Sequence, residues 1–254
     1  MIYQTYIGDT VSMIYAPFYV DKYVYDGVLN EPITSQLPDD FDIHSFPEAC
    51  QNGSLHFLAT LCPYCGWDLK GQRDSLVLHC ENCASEYQPG DNGFTKLNAV
   101  HQAGPGEPQR YMPFWRIKAD IDGISLNTYA DLVREANLPK AVLPGFSDRV
   151  FYFWSPAFKI RPQFFMRLTQ TTTVSQPPGP FQPGIPKGTL HQVNLPLKEG
   201  IESLKLTLAG TIKPRHKIEH ILVYLPFAEK HHDLVQPELG IAINKNMLAH
   251  AKNL

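Results

Sequence analysis

Tyr111-Met-Pro113-Phe114-Trp115-Arg-Ile-Lys118-Ala-Asp-Ile-Asp122-Gly123 is a stretch this chain uses twice. Near the start, Tyr15-Ala-Pro17-Phe18-Tyr19-Val-Asp-Lys22-Tyr-Val-Tyr-Asp26-Gly27 aligns with it without a gap. Tyr, Pro, Phe, Lys, Asp and Gly coincide, and an aromatic residue follows each Phe. Matching of this kind marks an internal duplication. Each copy has short β-rich runs about a polar or Asp-Gly turn, which predicts a hairpin or a bent strand pair. Asp26 and Asp122 are read as turn formers beside their glycines.

Two shorter echoes follow, Trp154-Ser-Pro156-Ala-Phe158 and Tyr224-Leu-Pro226-Phe227. Proline cannot donate to a sheet ladder, so each unit is expected at an edge strand, a bulge or a bend. The aromatics are expected in the core, where large rings bury the most area; the competing reading has them lining a ligand groove. The chain from Ile221 to Leu248 reads as strand, turn and strand, with Leu-Val-Tyr-Leu-Pro-Phe and Gly240-Ile-Ala-Ile-Asn244 as its two runs.

Helical spacing appears at Tyr129, Leu132, Val133 and Ala136, with Thr128 or Asn127 as the N-cap and Leu138-Pro139 as the stop. Leu197, Ile201, Leu204, Leu208 and Ile212 draw a second apolar stripe down a helix, although Leu204, Leu206 and Leu208 would also alternate on a strand. Between these two, Gln176-Pro177-Pro178-Gly-Pro180-Phe-Gln-Pro183-Gly-Ile-Pro186 reads as an extended surface linker, or else as a segment that docks on a partner. The fold class expected is therefore α+β, an antiparallel sheet built from the repeated Tyr-x-Pro-Phe units. Its organisation is a first repeat and turn-rich lead-in over 1–54, a cysteine module over 55–95, and the second repeat with a helix and aromatic strands over 96–170. A Pro-rich linker over 171–196 and a helix with the C-terminal strand pair over 197–254 follow. Segments 1–54 and 96–254 are expected to form one domain, with 55–95 inserted.

With 43% hydrophobic and 19% charged residues among 254, the chain has the composition of a globular protein. A formal charge of −3 excludes a general basic field for nucleic acid or anionic membrane. Neither a secretory signal nor an apolar run long enough to insert in a membrane is read, and the expected location is cytoplasmic. Four of the five cysteines stand in two close pairs, which suits a reducing compartment and metal binding better than a disulfide framework. Cys50 is left over and is read as a small buried hydrophobe.

The pairs are Cys62-Pro-Tyr-Cys65-Gly66 and Cys80-Glu-Asn-Cys83. Two Cys-x-x-Cys turns supply four thiolates from opposite ends of a small sheet, as tetrahedral zinc requires. Gly66 allows a tight turn that brings backbone amides towards the sulfurs. Over about residues 55–95 the sequence resembles the zinc-ribbon superfamily, which implies Cys62, Cys65, Cys80 and Cys83 as ligands of a structural zinc. It departs from the commonest pattern in having Ala84, not glycine, after the second pair. Cys62-Pro-Tyr-Cys65 alone resembles a glutaredoxin dithiol, which would imply thiol–disulfide oxidoreductase chemistry; that chemistry needs a lowered thiol pKa, usually at a helix N-terminus, and Gly66-Trp67-Asp68 is a poor helix start.

Residues 55–95 carry a net −3, the wrong sign for phosphate contact, so the ribbon is expected to brace its own domain or to bind protein. The best nucleic-acid candidate is residues 149–167, where Arg149, Trp154, Lys159, Arg161 and Arg167 interleave with phenylalanines, though a strand with one buried and one basic face has the same pattern. His216, His220, His231 and His232, with Glu219 and Asp233, form the other cluster with metal or proton chemistry; satisfied surface histidines are the plainer reading. No phosphate-cradling loop, nucleophile elbow or His-Glu-x-x-His motif is found. The functional expectation is a non-catalytic scaffold or adaptor in a cytoplasmic protein assembly, with a nucleic-acid accessory factor as the alternative and an oxidoreductase third.

Overall fold

A computed structural model of the chain describes residues 18–27, 29–36, 39, 41–42, 58–90, 93–104, 106, 109–121, 126–135, 141–207 and 214–250. The chain divides into two units, Met1–Leu55 and His56–Leu254. In the first, β1 (Phe18–Val20) and β2 (Val24–Asp26) form an antiparallel hairpin with Tyr19 opposite Tyr25. Their rings stack at 5.0 Å, and Asp26 Oδ1 accepts the Leu29 amide, the turn chemistry expected of that residue. Tyr15, Pro17 and Cys50 lie outside the described residues.

The second unit is mixed α and β, and its axis is a pair of long strands, β7 (Gln109–Ile121) and β11 (Pro214–Lys230), antiparallel along almost their whole length. The second copy runs as the single strand β7 from Tyr111 to Ile121, where a hairpin or bent strand pair was expected; Asp122 and Gly123, the expected turn, lie outside the described residues. Its strand continues through Lys118, because β11 offers an unbroken ladder where the first copy has only its own return strand. The fourth echo sits in β11 and pairs with the second: Tyr111 faces Pro226, Met112 faces Leu225 and Pro113 faces Tyr224. Two Tyr-x-Pro-Phe units thus meet head to tail about a local two-fold, and Phe114 stacks on Phe227 at 6.4 Å and 8°.

Both prolines sit in the sheet's centre, not at its edge, and the neighbouring strands explain how. On one side β7 pairs first with β10 (Thr189–Leu190, at Arg110 and Tyr111) and then with β8 (Phe153–Pro156, from Phe114 onwards). On the other side β11 pairs with β6 (Ala99–Gln102, up to Tyr224) and then with β12 (Asp233–Gln236, from Ala228). Pro113 and Pro226 fall where one neighbour ends and the next begins, so each missing N–H points where no acceptor needs it. The sheet is completed by β9 (Phe181–Pro183) beside β6 and β13 (Ile241–Asn244) beside β12.

Alternation sends Tyr111, Trp115, Ile117, Leu222 and Tyr224 to one face and Met112, Phe114, Val223, Leu225 and Phe227 to the other. Both faces are covered, which is why these strands read as continuous apolar runs. The first face packs against α1 (Tyr129–Glu135), α3 (Leu197–Thr207) and Val77 of the cysteine module. Thr128 is the cap of α1: its Oγ1 accepts the Asp131 amide while Asp131 Oδ2 accepts the Thr128 amide. Helix α3 settles the second stripe as helical as far as Thr207; Leu208 and Ile212 lie outside the described residues.

The second face packs against α2 (Pro162–Ser175) and α4 (Lys245–His250). Helix α2 opens with proline at its first position and closes at Gln176, whose left-handed backbone (φ +50°) returns its N–H to Thr172 O. It also finishes the outer edge of β8. Thr173 Oγ1 accepts the Trp154 amide and donates to the Trp154 carbonyl, while the Gln176 amide accepts from Tyr152 N and donates to Tyr152 O. Helical side chains here do what another strand would do, closing an edge that would otherwise be open. The Pro-rich stretch 171–196, expected as a surface linker, begins inside α2, contributes β9 and β10, and buries Gln176, Val193 and Asn194. Among the described residues no helix is long and apolar enough to cross a membrane.

Candidate metal centre

The cysteine module is a three-stranded antiparallel sheet, β3 (Leu78–Cys80), β4 (Ser85–Gly90) and β5 (Gly93–Leu97), fed by a first turn at Cys62. Gly66 takes φ +71° and donates its N–H to Cys62 O at 2.9 Å, while Cys62 N–H reaches Trp67 O at 2.7 Å. In the second turn Ala84 holds the matching left-handed conformation, φ +51°. The glycine missing from the sequence pattern is thus replaced by a strained alanine in the same backbone state.

These turns bring Cys62, Cys65, Cys80 and Cys83 together, all four sulfurs within 4.8 Å of one another. Cys62 Sγ lies 3.6 Å from Cys83 Sγ, and Cys65 Sγ 3.5 Å from Cys80 Sγ. A tetrahedral ion with ~2.3 Å metal–sulfur bonds sets its sulfurs ~3.8 Å apart, so the four could hold a metal ion. Burial of Cys62 opposes its ionisation, but the Tyr87 hydroxyl at 3.5 Å and the amides of Cys65 and Tyr64 outweigh it and bring the thiol down to about 6. The Asn82 side chain and the Trp67 backbone lower Cys65. Burial pushes Cys80 up to about 12, so its thiolate needs a neighbouring cation. A donor set of this kind fits a divalent metal. No helix follows the first Cys-x-x-Cys pair, so a dithiol catalyst would lack the helix N-terminus it usually uses.

The module is docked on the main sheet and its flanking loop by polar contacts, one of them fully buried. Tyr224 of β11 donates its hydroxyl to Glu86 of β4 at 2.7 Å, and Glu86 is 1% exposed. Burial raises the Glu86 carboxyl to about 8 against the pull of that hydrogen bond. Asp74 accepts from Gln192 Nε2 and Asn194 Nδ2, which holds its carboxyl below the usual range, and Leu76 N–H reaches Val193 O at 2.8 Å. Gly184 lies so close that a Cβ there would stand 2.8 Å from Ala84 O. Away from the sheet, Leu61, Tyr64 and Trp67 stand exposed, Tyr64 by 78%.

The basic-aromatic residues do not form one surface. Phe151, Phe153, Trp154 and Phe158 are each at most 1% exposed, and no base can stack on them in this conformation. Arg149 points inward, donating to the Ser175 and Gln176 carbonyls at the C-terminus of α2 and covering the Tyr129 ring at 5.1 Å. Arg161 stands at the opposite end of that helix, about 20 Å away by helix rise. Arg167 is exposed on α2, and Lys159 is half-buried just before the helix begins. The histidines are also dispersed. His220 lies mid-strand against the edge of Trp115, whereas His231 and His232 are exposed in the turn after β11, about 35 Å further along the chain. His216 shares β11 with His220. Asp233 is engaged by Asn244.

Glu86, Gln192 and Asp74 are the site residues that sequence reasoning passed over. Alternation along β4 turned Ser85 and Tyr87 to one side and Glu86 to the other, but only the tertiary contact makes that other side an interior. Comparison with protein-family models, with curated proteins and with solved structures finds no match to this chain.

Proposed function

We propose that the chain is a non-catalytic scaffold or adaptor of a cytoplasmic protein assembly, with a structural zinc held by Cys62, Cys65, Cys80 and Cys83. The observation that carries the reading is the double character of the cysteine module. Its inner side is bonded to the sheet through Glu86, Asp74 and Leu76, as a brace is. Its outer knuckle offers Leu61, Tyr64 and Trp67 to solvent, a set of apolar side chains of the kind that anchors protein interfaces. Zinc is favoured over harder cations because all four donors are sulfur.

The nucleic-acid alternative loses support from the burial of the aromatics in 149–167. A salt titration on random single- and double-stranded DNA and RNA tests it, and salt-sensitive binding would restore it. The scaffold reading is tested by affinity capture of the full chain from native lysate with measurement of particle mass. It expects a defined assembly heavier than the monomer, weakened by Tyr64→Ala and Trp67→Ala; a chain that emerges alone and monomeric overturns it.

A further inference from the structure

A cleft of about 220 Å³ opens at the seam between the cysteine module and the main sheet. We propose that it is a binding site for a small uncharged planar amide or heterocycle of nucleobase size. The volume lies below the ~300 Å³ at which drug-sized sites begin and far above the ~30 Å³ share of one water. A small molecule is what it accommodates.

Three side chains set the polarity of that molecule. Gln192 Nε2 donates to Asp74 Oδ1 at 2.9 Å, and because a carboxylate only accepts, the amide's orientation is fixed. Gln192 Oε1 is consequently left buried without a partner just behind the surface that the Gln192 side chain gives the cleft, an acceptor that calls for an N–H or O–H. Ser75 Oγ accepts the Gln72 amide at 2.8 Å, which leaves its hydroxyl proton to donate into the same cleft. The His79 ring borders the space and offers a further nitrogen. A donor beside an acceptor is the edge that a lactam, a carboxamide or a nucleobase presents.

The remaining walls set its charge and shape. Lys70, which lines the cleft, is already paired with Glu81 at 2.6 Å, and the Asp74 carboxylate behind Gln192 is engaged by both Gln192 and Asn194. A charged ligand would give up its hydration for no counterion here. Val77, Leu190 and Val193 supply apolar sides suited to a flat ring. Tyr224 contributes only its ring, since its hydroxyl is held by Glu86. The assignment does not rest on the scaffold reading, and capture of partners has no bearing on it.

The test is side-chain NMR of the full, metal-loaded chain, titrated with uracil, cytosine and nicotinamide as uncharged probes and with phosphate, acetate and ammonium as charged ones. At least one uncharged probe is expected to shift the Gln192 side-chain amide saturably at millimolar concentration. Gln192→Met is expected to weaken it by about tenfold or more. Because Gln192→Met also releases Asp74, Ser75→Ala serves as the second variant, expected to weaken the probe with metal content and melting temperature unchanged. Absence of saturable shifts with every probe, preference for a charged probe, or affinities indifferent to both variants would overturn the assignment.

Discussion

Tyr224, at the centre of the longest strand, donates its hydroxyl to Glu86 of the cysteine module at 2.7 Å, and both side chains are buried. Burial lifts the Glu86 carboxyl to about 8, far above the usual carboxylate range. A raised folded-state pKa adds stability that is whole below the unfolded carboxylate value and is lost as pH climbs through about 8. Stability is therefore expected to fall between about pH 4.5 and 8, by an amount on the order of a few kcal/mol, and to level off above that. In Glu86→Gln, which keeps an acceptor for Tyr224, that slope should flatten. Urea unfolding at several pH values measures it; an equal slope in the variant would remove Glu86 as its source.

The left-handed Ala84 and the closely approached Gly184 make opposite predictions. Ala84→Gly relieves the backbone at φ +51° and should stabilise the module by about 1 kcal/mol. Gly184→Ala places a methyl group 2.8 Å from Ala84 O at a residue with φ +79°, and should cost about 2–3 kcal/mol. Thermal unfolding of the metal-loaded protein distinguishes the signs.

Gln176 carries two jobs, closing α2 and pairing with Tyr152. Gln176→Ala leaves the Tyr152 N–H and C=O short of partners and should destabilise the second unit by about 2–4 kcal/mol. Gln176→Asn, too short to span to β8 but able to hold a left-handed cap, is expected to lose nearly as much, because the strand contacts outweigh the cap. Denaturant melts compare the two variants; a near-native Gln176→Asn would put the weight on the cap.

The parts of this fold legible in the sequence are those fixed by local chemistry. Cys62, Cys65, Cys80 and Cys83 announce their cluster by spacing alone, and Thr128 with Asp131 brackets the start of α1. The Tyr-x-Pro-Phe echoes mark the core strands, but not that Tyr111–Phe114 and Tyr224–Phe227 would pair with each other, since pairing is decided across more than a hundred residues. Helix α2 was hidden because Thr169, Thr171, Thr172 and Thr173 favour strands by β-branching. Two signals were available: Pro162 suits a first helical position, and Leu168, Thr169, Thr172, Thr173 and Gln176 recur at helical spacing. The prolines of 177–186 suggested a linker because proline breaks regular elements. What they do is carry short strands across one edge of the sheet and against the cysteine module, where Ile185 N–H reaches Ala84 O. Nothing local in Glu86 distinguishes a buried carboxyl from a solvated one.

The central claim is that a metal held by four cysteines keeps the module braced on the main sheet. Its most direct test is metal analysis of the purified chain and of Cys62→Ser, with hydrogen exchange read at Tyr224 and its strand neighbours in each. The account predicts one zinc per chain, its loss in the variant, and faster exchange spreading from β3 and β4 into the middle of β11 as Glu86 and Asp74 release their partners. Unchanged zinc content in Cys62→Ser, or a metal-free chain whose β11 exchanges as slowly as before, would contradict it.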